Sequence, residues 1–475
     1  MKSSDHNDYD DGVDILVCKI LVWEPADKNT IDFDDPAENK CLVIRECANI
    51  EIVESYKKLI GTAVVKFPRG TIIGRTQTAE DIKENGVSPV YTERLNDGTI
   101  IEKRAGGAAA QPSDFKVGQR IRIYLGYYRD EGKVFKDATE RRNEMEKKAL
   151  NKTPHFDGYI VKCSLSTPIE IRCENLASGL KRKTLRNQKT KENVTVNDLF
   201  KEGGQYDLLK GTGLKLHSET KDAEITIGQE AFTDDLTVAD LLTGWANRYH
   251  LYSYLKLDND NKPALKVGSA NFSTKTKESL INSSDNRKPD VLQFDYHVAE
   301  DNLTMMSVDP KFLAVEAQSL TKDGKFYRLA IRINPDWTGQ NDTSNKKFQV
   351  INETQLSKKS MKLVGSIKDS TKKKVDLSQY TVIPYMSRKI GISKEDLQKE
   401  AEAYFEGYNM NGIEGSVTVF GDYFFQPCDR VELLDIRQPE KNGWYLIEEI
   451  NTKFGVNGFR QTLKLPYCIA KAEKQ

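Results

Sequence analysis

Short runs rich in hydrophobic residues dominate the first third of the chain and predict β-strands. The pattern runs over 14–23, 41–54 and 59–67, and the last two segments are separated by the residues SYKK, a connection of hairpin length. The N-terminal third is therefore predicted to consist mainly of β-strands, with a hairpin between the second and third segments.

A second group of strands follows at 119–128 and 155–175. Within 119–128, Ile121 and Ile123 alternate with arginines, which predicts a strand with one side buried and the other facing solvent. Between the two groups, 135–150 has the composition of a helix but a poor apolar face. We interpret it as an inserted, solvent-facing segment.

The character of the sequence changes from residue 181. A basic run with no interleaved aromatic residues predicts a solvated connector rather than a nucleic-acid site. The segment 237–255 then shows a helical period, and Thr237 with Asp240 fits the start of a helix with a capping box. Residues 181–285 are thus predicted to form a small mixed α+β domain.

The C-terminal third contains the clearest helix, at 393–409, after a polar, lysine-rich stretch at about 334–380. Ser393 and Asp396 fit its N-terminus, and its apolar stripe comprises Leu397, Ala401, Tyr404, Phe405 and Tyr408. Four strands separated by turn signals close the chain, which is typical of a barrel or a sandwich.

Charge and composition exclude several classes of protein. Lys+Arg and Asp+Glu both total 71, so the formal net charge is zero, unlike that of a dedicated nucleic-acid binder. The apolar run at 15–23 contains Lys19 and is too short for a membrane span and too late for a signal peptide. We therefore expect no export signal and no membrane insertion by the protein itself.

Candidate chemistry is sparse. The seven cysteines form no C-x-x-C motif, which argues against a disulfide framework or a zinc site. Cys428 lies in a turn with no histidine or other base nearby in sequence, so a nucleophilic role is disfavoured. The sequence predicts no catalytic residue, no cofactor and no metal site, hence no enzyme.

The end of the chain resembles the phage tail baseplate hub family, which includes the central hub of contractile phages, late control D proteins and the hub part of type VI secretion spike proteins. A helix, the strand GSVTVFG, the turn QPCDRVEL and the strands NGWYLIEEINTKFGVNGFRQTLKL follow in the family's order. The residues that match the family motif are Gly415, Pro427, Asp429, Gly443, Trp444 and Tyr445. Cys428 departs from the usual glycine. The N-terminal third is similar in a less specific way.

This resemblance implies a mainly β fold with α+β insertions. It implies two similar β-barrel domains, at 1–180 and 286–475, with the middle domain at 181–285 and an inserted segment at about 334–412. Such hubs are structural homotrimers. Their ring adapts the sixfold tail tube to a threefold spike and lines a duct for DNA or other cargo, so the expected partners are a tube protein, a separate spike protein and other baseplate proteins. The expected location is a virion tail or a phage-like particle that is assembled in the bacterial cytoplasm.

Two alternatives remain open. A carbohydrate-binding or adhesion β-protein would be exported, and the sequence shows no export signal. A hydrolase would need clustered acid and base groups, which no motif in the sequence marks.

Overall fold

The structure is a computed structural model, and a part of the 475-residue chain is described. The described residues are 13–26, 31–37, 40–68, 71–74, 90–94, 100–104, 107–130, 135, 138–186, 188–190, 194–222, 225–228, 230–249, 251–268, 291–305, 313–320, 326–337, 346–356, 363–364, 377–387, 393–410, 413–421, 423–466 and 468–471. Strands account for 47% of the structure and helices for 20%, which confirms the predicted mainly β class.

The N-terminal part is built almost entirely of strands. They are β1 (Val13–Trp23), β2 (Leu42–Ile44), β3 (Asn49–Ser55), β4 (Lys58–Phe67), β5 (Ile72–Gly74), β6 (Val90–Arg94), β7 (Ile100–Arg104), β8 (Gly107–Ala109), β9 (Arg120–Asp130), β10 (Phe156–Cys163) and β11 (Ile169–Asn175). The predicted helical insertion is confirmed as α1 (Ala138–Ala149). Its Glu146 pairs with Lys19 on β1 and with Arg45, so one face of α1 lies against the sheet.

The middle region mixes short strands and helices, as expected. It comprises β12 (Gln188–Lys189), β13 (Val194–Thr195), α2 (Val196–Phe200), α3 (Ser218–Asp222), β14 (Thr226–Gly228), β15 (Ala231–Phe232), α4 (Val238–Tyr249), β16 (Tyr252–Leu257) and β17 (Pro263–Gly268). The predicted capping box is present, since Asp240 N–H donates to the Thr237 hydroxyl at 3.2 Å and Thr237 N–H to the Asp240 carboxylate at 3.0 Å.

The C-terminal part begins with β18 (Val291–Gln293), α5 (Phe294–His297), β19 (Val298–Asp301) and β20 (Thr304–Met305). An inserted region follows, with β21 (Leu313–Leu320), β22 (Phe326–Ile333), β23 (Phe348–Leu356), β24 (Leu363–Val364), β25 (Thr381–Met386) and α6 (Lys394–Met410). The chain then forms β26 (Ile413–Phe420), β27 (Arg430–Leu434), β28 (Gly443–Leu446), β29 (Glu449–Gly455), β30 (Gly458–Leu465) and β31 (Cys468–Lys471).

Two parts of the chain share one strand order. In the first unit, β1–β5 with β8–β11, the pairing runs β3-β4-β11-β10-β9-β1. In the second unit, β18–β20 with β26–β31, it runs β19-β26-β30-β29, and β28, which directly precedes β29, pairs with β27 and then β18. The units differ at the end, because β1 is antiparallel to β9 whereas β18 is parallel to β27. The chain thus contains an internal repeat.

Hydrophobic cores follow the same division. Separate clusters of buried apolar side chains lie in the first unit, the second unit, the middle region and the inserted region. In the inserted region, Leu397, Ala401 and Phe405 of α6 pack onto β21 and β22, as the predicted stripe required. Ser393 Oγ accepts the Asp396 N–H at 3.1 Å and caps the helix.

The two units are joined edge to edge through β29 and β3. Their seven residue pairs run antiparallel from Glu449–Ser55 to Gly455–Asn49. Phe454 and Phe459, at the tip of the β29–β30 hairpin, are buried in the core of the first unit. The second unit therefore completes the core of the first.

The structure corrects three local predictions. The helix predicted over 237–255 ends at Tyr249, because 252–257 pair with β17 instead. The strand predicted over 41–54 is two strands, separated at 45–48. The polar stretch at 334–380 contains β23, a full member of the inserted sheet. The domain boundary predicted between 285 and 286 lies outside the described residues.

A fourth correction concerns β9, for which a solvent-facing side was predicted. Arg120 and Arg122 are 2% and 1% exposed, so both faces of the strand are buried. Asp157 on β10 accepts from both guanidinium groups, with N–O distances of 2.8 to 2.9 Å, and both groups lie over the Trp23 ring. Asp157 thus pairs with both buried cations, and Arg122 has a second carboxylate partner in Asp35, whose Oδ1 lies 2.8 Å from the Arg122 Nη1.

We expect Asp157→Asn to lower the free energy of unfolding by about 3 kcal/mol or more, because it leaves the buried Arg120 guanidinium without the carboxylate to which it donates, while Arg122 keeps Asp35. Chemical denaturation followed by circular dichroism measures the change. Glu170→Gln is the matched control, since Glu170 pairs with Arg172 at the exposed surface and should change stability by less than about 1 kcal/mol. Equal effects of the two substitutions would contradict the assignment.

Candidate functional site

The turn that carries Pro427 and Asp429 has a counterpart in the first unit. In 426–429, Gln426 N–H donates to the Asp429 carboxylate at 2.8 Å, and Asp429 N–H donates to the Gln426 carbonyl at 3.0 Å. In 116–119, Lys116 N–H donates to the Gln119 side chain at 2.8 Å, and Gln119 N–H to the Lys116 carbonyl at 3.2 Å. We name these two segments the corner turns.

Each corner turn is fastened to the next strand by the same two backbone hydrogen bonds. Gly118 N–H donates to the Ile160 carbonyl at 2.8 Å, and Ile160 N–H to the Gln119 carbonyl at 2.9 Å. The second unit repeats both bonds at 2.9 Å, with Cys428 and Asp429 facing Ile447. This equivalence aligns the two units residue by residue around the turn.

Cys428 stands where the first unit has Gly118. Both residues have positive φ, +62° at Cys428 and +95° at Gly118. This left-handed region suits glycine and is strained for a residue with a Cβ atom. Cys428 therefore occupies a glycine-like position in a backbone geometry that the two corner turns share, and its left-handed conformation is strained.

The second corner turn docks on β16 of the middle region. Leu257 N–H donates to Gln426 Oε1 at 2.7 Å, and Lys256 Nζ lies 3.1 Å from Asp429 Oδ1. Cys428 packs beside Tyr254, and burial raises the pKa of its thiol to about 11. A thiol that stays protonated at neutral pH is a poor nucleophile, which fits a packing role.

The remaining motif residues lie on the strands next to this turn. Gly415 has φ +143°, and a Cβ atom there would come within 2.4 Å of the Asn302 carbonyl oxygen, so a side chain does not fit. Gly443 and Trp444 pair with Leu433 and Glu432 of β27. Tyr445 is buried, and its hydroxyl donates to the Lys441 carbonyl at 2.9 Å. Their assignment as a family motif stays a prediction.

Ion pairs line the junction of β29 and β3. Lys57 and Lys58 of the first unit pair with Glu448 and Glu449 of the second at 2.5 and 3.0 Å, and Lys464 also reaches Glu448 at 2.7 Å. Burial alone would raise the pKa of Glu448, but hydrogen bonds from Lys464 and Lys57 lower it overall. The carboxylate therefore stays charged across this contact.

Aromatic contacts hold the tip of the β29–β30 hairpin. The Tyr127 hydroxyl donates to the Phe459 carbonyl at 2.6 Å and accepts the Phe459 N–H at 3.1 Å. His155 lies edge-on to Phe459 and Phe424, and its Nδ1 accepts the Leu125 N–H at 3.3 Å. Burial lowers the pKa of His155 to about 4, so the imidazole is neutral at pH 7.

A cavity of about 680 Å³ lies where the first unit, the middle region and the second corner turn meet. Glu54 and His155 line it, and burial raises the pKa of Glu54 to about 7. Burial is the cause of both shifts, and among the described residues neither group forms an ion pair that would orient it. General acid–base catalysis needs such orientation, so the cavity gives no support to the hydrolase alternative.

Sequence reasoning found the second corner turn but missed the first and the residues that hold the hairpin tip. The signal was present in two short stretches, VGQRI at 117–121 and PCDRV at 427–431, which share an arginine and a following β-branched residue. Comparing the chain with itself would have aligned them. Tyr127 and His155 carry no such local signal.

Replacing Cys428 by glycine should be less destabilising than replacing it by alanine, by about 1 kcal/mol, because only glycine relieves the left-handed strain. The free energy of unfolding of the two variants measures this difference. Lys453, an exposed residue inside β29, provides the control. There alanine should be the more stable replacement, since glycine lowers the stability of an extended strand. The same ranking at both positions would contradict the strain argument.

His155 should make the protein less stable in acid. Its folded-state pKa of about 4 lies below the ordinary value of 6.5, so the unfolded chain takes up a proton first as the pH falls from 6.5. Between pH 6.5 and 4, the wild type should lose about 3 kcal/mol relative to His155→Asn. Chemical denaturation of both proteins at several pH values in this range measures the difference. If the free energies of unfolding of the two proteins change in parallel with pH, the prediction is wrong.

No protein-family description and no curated protein matches the sequence. Within the described residues, no helix combines the length and apolar character that crossing a bilayer requires. Nor do three His, Cys, Asp or Glu side chains of the described residues come together as metal ligands.

Three solved structures illustrate what the fold is similar to. The 43 kDa tail protein of prophage MuSo2 from Shewanella oneidensis has 11% identity and a TM-score of 0.45, covering 94% of this chain and 98% of that one. A tail protein from Neisseria meningitidis MC58 has 12% identity and a TM-score of 0.44, covering 94% and 96%. The Francisella PdpA-VgrG complex has 10% identity and a TM-score of 0.43, covering 97% of this chain and 60% of that one. These three structures are thus two phage tail proteins and a VgrG complex.

Proposed function

We propose that the protein is a structural hub of a phage tail baseplate or of a phage-like contractile injection apparatus. It acts without catalysis, as a trimeric ring between a sixfold tail tube and a threefold spike. Its two ring-forming domains are 1–180 and 286–475, and the middle domain is 181–285. It is located in a virion tail or a tail-like particle.

The observation that carries this proposal is the repeated strand order joined edge to edge within one chain. The two units lie side by side through β3 and β29, and the corner turns repeat their hydrogen bonds. Three such chains present six similar units, which matches a sixfold partner on one face. The middle and inserted regions occur once in each chain and therefore three times in the ring, which matches a threefold partner on the other face.

A ring of this kind requires head-to-tail contacts between copies. One surface of each chain binds a different surface of the next chain, and rotation closes the ring. The sequence contributes no net charge, with 71 basic and 71 acidic residues. A duct that passes DNA works best without strong attraction to phosphate, because each phosphate contact holds the cargo.

The purified protein should form trimers that appear as rings. Light scattering coupled to size-exclusion chromatography gives the mass, and electron microscopy of the same fraction gives the shape. Adding a tail tube protein should cap one face of the ring with a sixfold assembly. A protein that stays monomeric at every concentration and never joins a tail-like particle would refute the proposed function.

A further inference from the structure

Two cysteine sulfurs lie in contact within the first unit. Cys18 is on β1 and is 5% exposed, in the core of that unit. Cys47 is half-buried and packs against the same core from the connection 45–48, between β2 and β3. The two Sγ atoms are 3.9 Å apart, although the residues are 29 positions apart in the chain. The fold thus brings together a pair of free thiols that no sequence motif marks.

The connection that carries Cys47 is held on both sides. Arg45 forms an ion pair with α1, and its carbonyl accepts the Cys18 S–H at 3.2 Å. Ala48 N–H donates to the Lys66 carbonyl at 2.8 Å. These contacts fix the backbone before and after Cys47, and they keep its side chain opposite Cys18.

A disulfide bond requires only a small change from this arrangement. Its two sulfurs lie about 2.05 Å apart, so the Sγ atoms of Cys18 and Cys47 must approach each other by about 2 Å. Rotation of a side chain from one staggered rotamer to another moves its sulfur by such a distance. The anchors on both sides of Cys47 can therefore stay in place when the bond forms.

The two thiols differ in their readiness to react. The hydrogen bond with Cys47, together with burial, raises the pKa of the Cys18 thiol well above its ordinary value, so Cys18 keeps its proton. Cys47 lies next to the exposed Glu46, where a dissolved oxidant reaches it first. Cys47 therefore suits the role of the attacking thiol and Cys18 that of the resolving thiol.

We propose that Cys18 and Cys47 form a reversible disulfide bond when the folded chain meets a small disulfide such as oxidised glutathione. The Cys47 thiolate attacks one sulfur of the oxidant, breaks its disulfide bond and releases one thiol. Cys18 then loses its proton and attacks Cys47 Sγ in the mixed disulfide, which releases the second thiol. Two protein thiols are oxidised, the oxidant is reduced to two thiols, and these take up both protons.

The disulfide links β1 to the connection that leads into β3. Since β3 is the strand that pairs with β29 of the second unit, the link supports the edge that joins the two units. Closing the chain between positions 18 and 47 also restricts the unfolded state, which stabilises the folded one.

The compartment sets the time at which the bond forms. Thiol systems of the cytoplasm keep such pairs reduced, whereas the medium outside a cell is oxidising. On the proposed function, the chains assemble with both thiols reduced, and the disulfide forms once the particle has left the cell. This timing rests on the proposed function, but the pairing itself does not.

Peptide mapping of the purified full-length chain tests the pairing. The chain is incubated with oxidised glutathione, alkylated to block the remaining thiols and digested with trypsin without reduction. Trypsin cuts after Lys40 and Arg45, so Cys41 is on a different peptide from Cys47. We expect mass spectrometry to find a cross-linked product that joins Cys18 to Cys47 and that disappears on reduction.

Single variants test the order of the two steps. In Cys18→Ala, Cys47 still attacks but no thiol resolves the product, so a stable mixed disulfide with glutathione should accumulate on Cys47. In Cys47→Ala, the buried Cys18 should remain a free thiol. Cys428→Gly is the matched control, because it removes a thiol outside the pair and should leave the cross-link unchanged. Circular dichroism verifies folding, and Cys18→Val, which keeps the core filled, repeats the test if Cys18→Ala fails to fold.

The midpoint of thermal unfolding gives a second measurement. Oxidation should raise it by about 3 °C or more in the wild type and leave it unchanged in Cys47→Ala. Complete alkylation of both thiols after exposure to the oxidant, or a cross-link of either one to a different cysteine, would overturn the inference. The test uses the isolated chain, so its failure leaves the proposed ring standing, and a chain that never assembles leaves the pairing standing.

Discussion

The need to pair every strand edge governs this molecule. A strand at the edge of a sheet leaves a row of backbone donors and acceptors open, and proteins cover such edges or use them. Here the edge of β3 is covered by β29, which arrives from the other end of the chain. That pairing places the hairpin tip in the first core and sets Glu448 and Glu449 against two lysines. The relation of the two units follows from one shared edge.

The internal repeat gives the strained cysteine its explanation. Cys428 takes the position that Gly118 has in the first corner turn, and both residues have positive φ. Glycine adopts this conformation without strain, whereas cysteine does not. The first corner turn leaves open space where a Cβ would lie at Gly118, whereas the second is packed against the middle region. Burial of the Cys428 side chain beside Tyr254 offsets part of the backbone strain.

The local sequence pattern was sufficient to predict those elements that depend on interactions between residues near one another in the chain. The α6 stripe, its Ser393 cap and the β9 period were all predictable, because periodicity and capping act within a few residues. Alternation in β9 could not reveal what covers its second side, so the buried Arg120 and Arg122 were missed. The helical period of the sequence also continued past Tyr249, but residues 252–257 form a strand because they pair with β17. In the candidate site, turn chemistry marked Pro427 and Asp429, while the contacts of Tyr127 and His155 with Phe459 depend on the packing of whole units.

The contact between Tyr127 and Phe459 spans 332 residues and has a consequence for synthesis. The first unit has its own strands early, but its core is completed by a hairpin near the other end of the chain. During translation at about 5–20 residues per second, that core must wait on the order of tens of seconds for its last aromatic side chains. The emerging N-terminal unit therefore presents an open apolar face throughout this interval. Protection of that face, rather than the rate of any single strand pairing, should limit how much of the protein reaches its native state.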